Sequence, residues 1–295
     1  MDMINLKGRI IKGIGGFYYV DTGETTVTCR ARGKLRNIGI TPCVGDIAEI
    51  SVQGDGNGFL LNICERKNCI ARPPISNIDA IAIVASKAAP ETDTFFIDRI
   101  SAIAVKNNID ILIIINKCDE DMAEELYRIY RNTGFEIIRV SAKNGDGIDE
   151  LRKKIHGKLT AFTGNSGVGK STLINALIPD AELKTGEIND KIGRGRHTTR
   201  QVEILRLEKN TWIADTPGFS AFDISRGDEI TCEGLSDMFP EFSEHSKNCR
   251  FTGCTHISGA GCAVIEAVKA GVIEKTRYES YKKLYEAIDA IPKYK

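Results

Sequence analysis

The sequence predicts a multidomain chain: an all-β barrel, then an α/β domain on a mostly parallel sheet, then a small helical Cys/His-bearing domain. Three observations predict it. Residues 1–71 are rich in Val, Ile, Thr and Tyr, punctuated by glycine-rich turns. From Ile78 apolar runs of strand length alternate with helical patterns. After about Ser225 the pattern becomes irregular and carries clustered Cys and His. The boundaries are set at 1–71, 72–224 and 225–295.

In the first part Lys7–Val20, Thr25–Arg32, Asp46–Val52 and Phe59–Ile63 read as strand segments. Turns at Gly15-Gly16, Gly23 and Gly54 to Gly58 suit a small closed barrel. Arg72-Pro73-Pro74 reads as a stiff extended linker, because consecutive prolines stop any helix. In the second part the expected strands are Ile78–Ala85, Ile109–Ile115, Phe135–Val140, Leu159–Thr163 and Thr211–Ala214. Helices are expected at Asp93–Lys106, Asp121–Arg131, Ile148–Ile155 and Thr172–Leu177, giving a parallel sheet covered on both faces. Gln201–Leu207 should pair antiparallel with Thr211–Ala214 through a turn at Lys209-Asn210. Helices at Ala263–Ala270 and Tyr278–Ile288 close the chain.

Composition excludes several classes. With 42% hydrophobic and 27% charged residues the chain is globular rather than disordered. The start, MDMINLKGRIIKG, lacks the apolar stretch of a secretory signal. Ile111–Ile115 and Ala80–Ala85 are too short to cross a bilayer, so no membrane partner is expected. Forty basic and forty acidic residues cancel, so only local charge can indicate nucleic acid. Nine cysteines are an odd number, and those at 29, 43, 64, 69 and 232 follow no framework spacing. A reduced, cytoplasmic chain is expected.

The chemistry is concentrated in a few short motifs. Gly164, Asn165, Ser166, Gly167, Val168, Gly169, Lys170 and Ser171 fit the phosphate-loop pattern between an expected strand and the helix that continues through Thr172. The glycines let backbone N–H groups turn inward around phosphates. Lys170 can reach the β- and γ-phosphates, and the Ser171 hydroxyl can ligate Mg²⁺. By itself the motif indicates a nucleoside triphosphate without fixing the base. Asp215-Thr216-Pro217-Gly218 follows another strand, which suits Asp215 to the Mg²⁺ shell and the Gly218 N–H to the γ-phosphate.

Asn116-Lys117-Cys118-Asp119 fixes the base. These residues end a strand, where α/β sheets bind ligands. A carboxylate at Asp119 accepts from both the ring N–H and the exocyclic amine of guanine, a donor pair that adenine lacks. Ser141-Ala142-Lys143, after the next strand, can present a backbone N–H to guanine O6. The plainer alternatives are a chance glycine-rich turn and polar loops after strands, and the conjunction of motifs weighs against them. Their order is permuted, since Asn116 to Lys143 precede the phosphate loop and Asp215. Each motif nevertheless sits at a strand-to-loop junction, so the site can close as before if the former termini are joined.

At the two ends, Cys249, Cys254, His256 and Cys262 offer three thiolates and an imidazole, a set suited to one tetrahedral structural zinc. The spacing is not a common finger spacing, which leaves chance clustering open. His245 is a nearby competitor more suited to a solvated loop. Residues 1–75 hold ten Lys/Arg against seven Asp/Glu, and alternating Arg30, Arg32 and Lys34, near Arg36, could form a phosphate-contacting stripe. Phe17, Tyr18 and Tyr19 could add stacking surfaces. A solvated strand face over core aromatics explains the same pattern equally well. Lys191, Arg194, Arg196 and Arg200 form a similar basic stretch.

These motifs, with GRGRHTTR and DTPGF, make the sequence similar to the circularly permuted, small-ribosomal-subunit-dependent GTPases of the RsgA type, over nearly the whole chain. The resemblance implies an oligonucleotide-binding (OB) barrel, a permuted P-loop GTPase domain and a zinc domain carrying the four Cys/His ligands. It implies hydrolysis of GTP to GDP with Mg²⁺, stimulated by the small subunit, and rRNA as a partner in late subunit maturation. A cytoplasmic monomer is expected. By the same resemblance Gly193 to Thr199 form the first switch, and Thr199, rather than Thr198, senses Mg²⁺ and the γ-phosphate. Phe219 stands where many GTPases carry a water-orienting glutamine, so His197 is the candidate for that task. His197 contacting only rRNA is the alternative. Two other functions stay open: a signalling-type GTPase with a protein partner, and an RNA-binding assembly factor in which nucleotide is only structural.

Overall fold

A computed structural model of the chain describes residues 4–31, 39–53, 56–71, 73–178, 202–216 and 230–291. It divides into two compact units, the first of Met1–Ala80, Arg152–Thr163 and Ile188–Phe219, the second of Ile81–Leu151, Gly164–Glu187 and Ser220–Lys295.

The first unit holds the barrel. Strands β1 (Ile4–Ile14), β2 (Phe17–Asp21), β3 (Thr26–Ala31), β4 (Ile47–Val52) and β5 (Gly58–Ile63) close in the order β1-β2-β3-β5-β4. The expected Gly15-Gly16 turn divides the segment Lys7–Val20 into two strands, because Gly15 (φ +58°) and Gly16 (φ +82°) take left-handed backbone that only glycine adopts freely. Alternate residues Ile10, Val20, Val27, Cys29, Ala48, Ile50, Leu60 and Ile63 fill the interior. The proline segment is not a free linker: β6 (Cys69–Ala71) and β7 (Pro74–Ser76) pair antiparallel. Pro74 joins because it sits at a strand start, where a missing N–H costs little.

In the same unit β11 (Leu159–Gly164) pairs parallel with β13 (Thr211–Asp215), which pairs antiparallel with β12 (Glu203–Glu208). The hairpin turns at Asn210 (φ +61°), as expected. The barrel rests on this hairpin. Arg206 Nη1 donates to Gly23 O at 2.7 Å, Trp212 Nε1 to Asp21 Oδ2 at 3.3 Å, and Arg9 lies 4.5 Å over the Trp212 ring.

In the second unit β10 (Glu136–Arg139) pairs parallel with β9 (Asp110–Ile115), and β9 neighbours β8 (Ala80–Ala85). All six residues of β8 are buried, as in a strand covered on both faces. Helix α1 (Thr94–Lys106) starts where Asp93 Oδ1 accepts from Phe95 N at 2.9 Å. Helix α2 (Glu124–Tyr130) starts later than Asp121, because the Asp121 carboxylate instead accepts from Ala123 N at 2.7 Å and turns the chain. Helices α3 (Ile148–Ile155) and α4 (Lys170–Leu177) follow. The C-terminal part contains 3₁₀ turns at Leu235–Met238 and Pro240–Phe242, then α5 (Ser243–Ser246), α6 (Ala263–Lys269) and α7 (Lys275–Asp289). Among the described residues no helix is long and apolar enough to cross a membrane.

Candidate nucleotide and metal sites

Three of the sequence motifs meet at one side chain in the second unit. Asn116, at the carboxyl end of β9, is 2% exposed. Its Nδ2 donates to Val168 O at 2.9 Å, and its Oδ1 accepts from Ala142 N at 3.0 Å. One amide thus ties the loop after β9 to both the phosphate loop and the Ser141 loop. Asp119 is fixed beside it: Ser141 Oγ donates to Oδ1 at 2.6 Å, and Lys143 Nζ lies 3.9 Å from Oδ2. The Ser141 hydrogen bond, with help from the lysines, holds the Asp119 carboxyl below its ordinary value, so it stays an acceptor at neutral pH. Lys117 has φ +64°, an uncommon conformation for a side-chain-bearing residue, and its Nζ donates to Ala89 O at 2.6 Å.

Residues from Gly164, through Asn165, Ser166 and Gly167, to Val168 and Gly169 form the turn into α4, with Lys170, Ser171 and Thr172 in its first turn. Gly164 passes so close to Val84 that an added Cβ would lie 2.6 Å from its carbonyl oxygen. Gly167 (φ +82°) and Gly169 (φ +90°) need left-handed backbone, and a Cβ on Gly169 would meet Asn116 Nδ2 at 2.4 Å. The first N–H groups of α4 have no partner within the helix, so the loop and helix start make an electropositive cradle for an anion.

In the first unit Asp215 ends β13, and Thr216 Oγ1 donates to Phe162 O at 2.8 Å. Gly218, His197, Thr199 and Phe219 lie outside the described residues, as do Arg32, Lys34, Arg36, Lys191, Arg194, Arg196 and Arg200. Of the expected basic stripe, Arg30 is described, and its guanidinium lies 4.5 Å over the Phe17 ring. Tyr18 packs against the barrel core.

The four expected metal ligands converge. The ligand atoms of Cys249, Cys254, His256 and Cys262 lie within 4.8 Å of one another. His256 Nδ1 is 3.6 Å from Cys249 Sγ and 3.4 Å from Cys262 Sγ, and the Cys249 and Cys262 sulfurs are 4.0 Å apart. Tetrahedral ligation at the usual bond lengths gives S···S edges of about 3.8 Å and S···N edges of about 3.6 Å, so the set fits one ion. Burial pushes the Cys262 thiol up to about 11, which makes a bare thiolate unfavourable there and a cation welcome. His245 lies in α5 rather than a loop and is not among these ligands.

The residues that sequence reasoning missed are the supports. Tyr278 and Tyr281, one turn apart on α7, donate to His256 O at 2.8 Å and Thr255 O at 2.6 Å, and so hold the ligand loop. Their helical spacing was a legible signal. Ala89, which receives Lys117 through its backbone carbonyl, carried none.

Comparison with known proteins agrees with this geometry. The RsgA GTPase family model matches residues 63–225, and the RsgA N-terminal domain model matches residues 7–60. The chain is 44% identical over 282 residues to the small ribosomal subunit biogenesis GTPase RsgA of Caldanaerobacter subterraneus, covering 95% of this chain and 94% of that one. It is 42% identical over 288 residues to the protein of the same name from a Geobacillus species, covering 96% and 97%. Among solved structures, YjeQ from Thermotoga maritima aligns with a TM-score of 0.83 at 32% identity, over 97% of this chain and 99% of that one. YloQ, a circularly permuted GTPase, aligns with a TM-score of 0.80 at 34% identity, over 99% and 98%. With its barrel, its permuted motif order and its helical Cys/His region, the chain belongs to the RsgA GTPase family.

Proposed function

We propose that this protein is a cytoplasmic, monomeric GTP hydrolase that binds the small ribosomal subunit and its rRNA during late subunit maturation. The observation that carries the reading is Asn116, whose amide joins the phosphate loop to the two loops suited to guanine. In this reading Asn116, Lys117 and Asp119, with Ser141, Ala142 and Lys143, select guanine. Gly164 to Thr172 hold the phosphates, and the motif assigns Asp215 to the Mg²⁺ shell and Gly218 to the γ-phosphate. Mg²⁺, held by Ser171 and Thr199, would neutralise charge on the transferring phosphoryl group. The curated relatives are named for small-subunit biogenesis, which supports the choice of partner.

Cys249, Cys254, His256 and Cys262 hold one structural zinc, since four protein ligands leave no open position for catalysis. Residues 1–71, 72–224 and 225–295 act as RNA-binding barrel, GTPase domain and zinc domain. His197 orients the attacking water in place of the missing glutamine.

The test is phosphate release from GTP with and without small subunits, alongside co-sedimentation with a non-hydrolysable analogue. Slow turnover that subunits stimulate strongly, and that His197→Ala abolishes while binding survives, is the expected result. Unchanged stimulation in the variant removes His197 from the scheme. Fast turnover without subunits removes the activation scheme, and no association with subunits removes the partner.

A further inference from the structure

A second cysteine pair lies in the first unit, away from the Cys/His ligands in sequence and in role. Cys43 and Cys69 are far apart along the chain, and β7 brings them together. Cys69 on β6 lies opposite Ser76, Ser76 N donates to Val44 O at 2.9 Å, and Val44 bridges to Ile75. This pairing sets both cysteines on the lining of one groove.

Arg66 completes the cluster. Its Nη1 is 3.9 Å from Cys69 Sγ, its Nη2 donates to Thr41 O at 2.8 Å, and its Nε and Nη2 donate to the two Asp46 oxygens at 2.7 and 2.8 Å. Asp46 is fully buried and also accepts from Cys43 N at 2.7 Å and Ser76 Oγ at 2.6 Å. The guanidinium is therefore a fixed charge beside the sulfur. Cys69 is exposed and Cys43 is buried, and with Arg66 both line a groove of about 500 Å³. The two thiols are unequal. Interaction with Cys43, with Arg66 nearby, draws Cys69 below the ordinary thiol value, and interaction with Cys69 and burial push Cys43 up.

We infer that Cys43 and Cys69 form a redox-modifiable dithiol, which a low-molecular-weight disulfide entering the groove converts to an intrachain disulfide. The Cys69 thiolate attacks one sulfur of the small disulfide, forming a mixed disulfide and expelling one small thiolate. Cys43 then gives up its proton to solvent, and its sulfur attacks the Cys69 sulfur and expels the second thiolate. The protein loses two electrons and two protons, and the oxidant becomes two thiols. The new bond ties the Thr41–Asp46 loop to β6.

The test uses the full-length, metal-loaded, reduced chain exposed to oxidised glutathione near neutral pH, then alkylated and mapped by mass spectrometry. The expected product is a peptide linked through Cys43 and Cys69 in a monomeric chain. Cys69→Ser should abolish it, and Cys43→Ser should trap glutathione on Cys69. Linkage through other cysteines, an intermolecular product, or stable glutathione on Cys69 of the unmodified chain would overturn the inference. A second measurement needs no variant: alkylation of Cys69 should follow a pH midpoint at least about one unit below that of a free thiol. A midpoint at or above the free-thiol value overturns it as well.

Discussion

Arg277 on α7 donates through Nη1 to Asp98 Oδ1 on α1 at 2.7 Å, with both side chains at most 1% exposed. The same guanidinium grips Glu241 through Nε at 2.7 Å and Nη2 at 3.1 Å, and it lies 4.6 Å over the Phe239 ring. Tyr130 of α2 adds a hydroxyl to Asp98 Oδ1 at 2.7 Å. One buried cation thus joins the C-terminal helix to two helices of the nucleotide-binding part of the second unit.

Removing that cation should leave the buried Asp98 carboxylate with the Tyr130 hydroxyl but no counter-charge. Arg277→Ala is expected to cost about 3–5 kcal/mol, because a broken buried pair loses attraction while its desolvation cost remains. Urea unfolding of the full chain, followed by circular dichroism, measures the loss. A change below about 1 kcal/mol would show that water or a rearranged side chain already screens the pair.

In the proposed reading base selection falls to Asp119, which Ser141 Oγ holds at 2.6 Å. Asp119→Asn should weaken GDP binding about tenfold or more, as expected on losing hydrogen bonds to a charged group, and should improve binding of xanthosine diphosphate. The pH dependence has a definite sign. A carboxyl held below its ordinary value keeps its charge further into acid, so its contribution is present above the ordinary range and lost as pH falls through the lowered value. The ratio of GDP affinity between the unmodified chain and Asp119→Asn should therefore be flat from about pH 8 to about pH 5, with Ser141→Ala moving its loss upward. Titration calorimetry that finds this ratio falling between about pH 7 and about pH 6 would contradict this.

What the sequence disclosed was local. The strand ends carrying Asn116 and Ser141, the Asp93 cap and the Asn210 turn each depend on a few neighbouring residues, so their chemistry could be read in order. The Arg277–Asp98 contact spans 179 residues, and no periodicity marks a guanidinium that will be buried. Nothing local marks Arg66 and Asp46, 20 residues apart, as partners either. The late start of α2 came from a backbone choice at Asp121 that competes with the apolar pattern.

The Cys/His loop should depend on its ion for order. Between Cys249 and Cys262 Phe251 is 60% exposed, which leaves little apolar burial to hold the loop. Elemental analysis should find one zinc per chain, lost in Cys254→Ala and Cys262→Ala. Stripping the metal with a strong chelator should lower the melting temperature and expose the loop to proteases. An unchanged melting temperature after complete stripping would mean that Tyr278, Tyr281 and the Phe239–Phe242 packing suffice.

The tightest test of the nucleotide site is one methyl group. Gly169 has φ +90°, and an added Cβ would sit 2.4 Å from Asn116 Nδ2, well inside contact distance. Gly169→Ala must therefore strain the backbone by about 1–2 kcal/mol and also displace the amide that holds Val168 and Ala142. Because that amide joins all three loops, the loss should appear in nucleotide affinity more than in global stability. GDP binding is expected to weaken about tenfold or more, equivalent to one or two lost hydrogen bonds. Gly13→Ala is the control: Gly13 has no positive φ, and its nearest neighbour, Tyr18 Cδ1, would be 3.5 Å from the new atom. It should leave GDP affinity unchanged. If Gly169→Ala binds GDP as tightly as the unmodified chain, Asn116 is not the joint between these loops, and the proposed guanine site loses its main support.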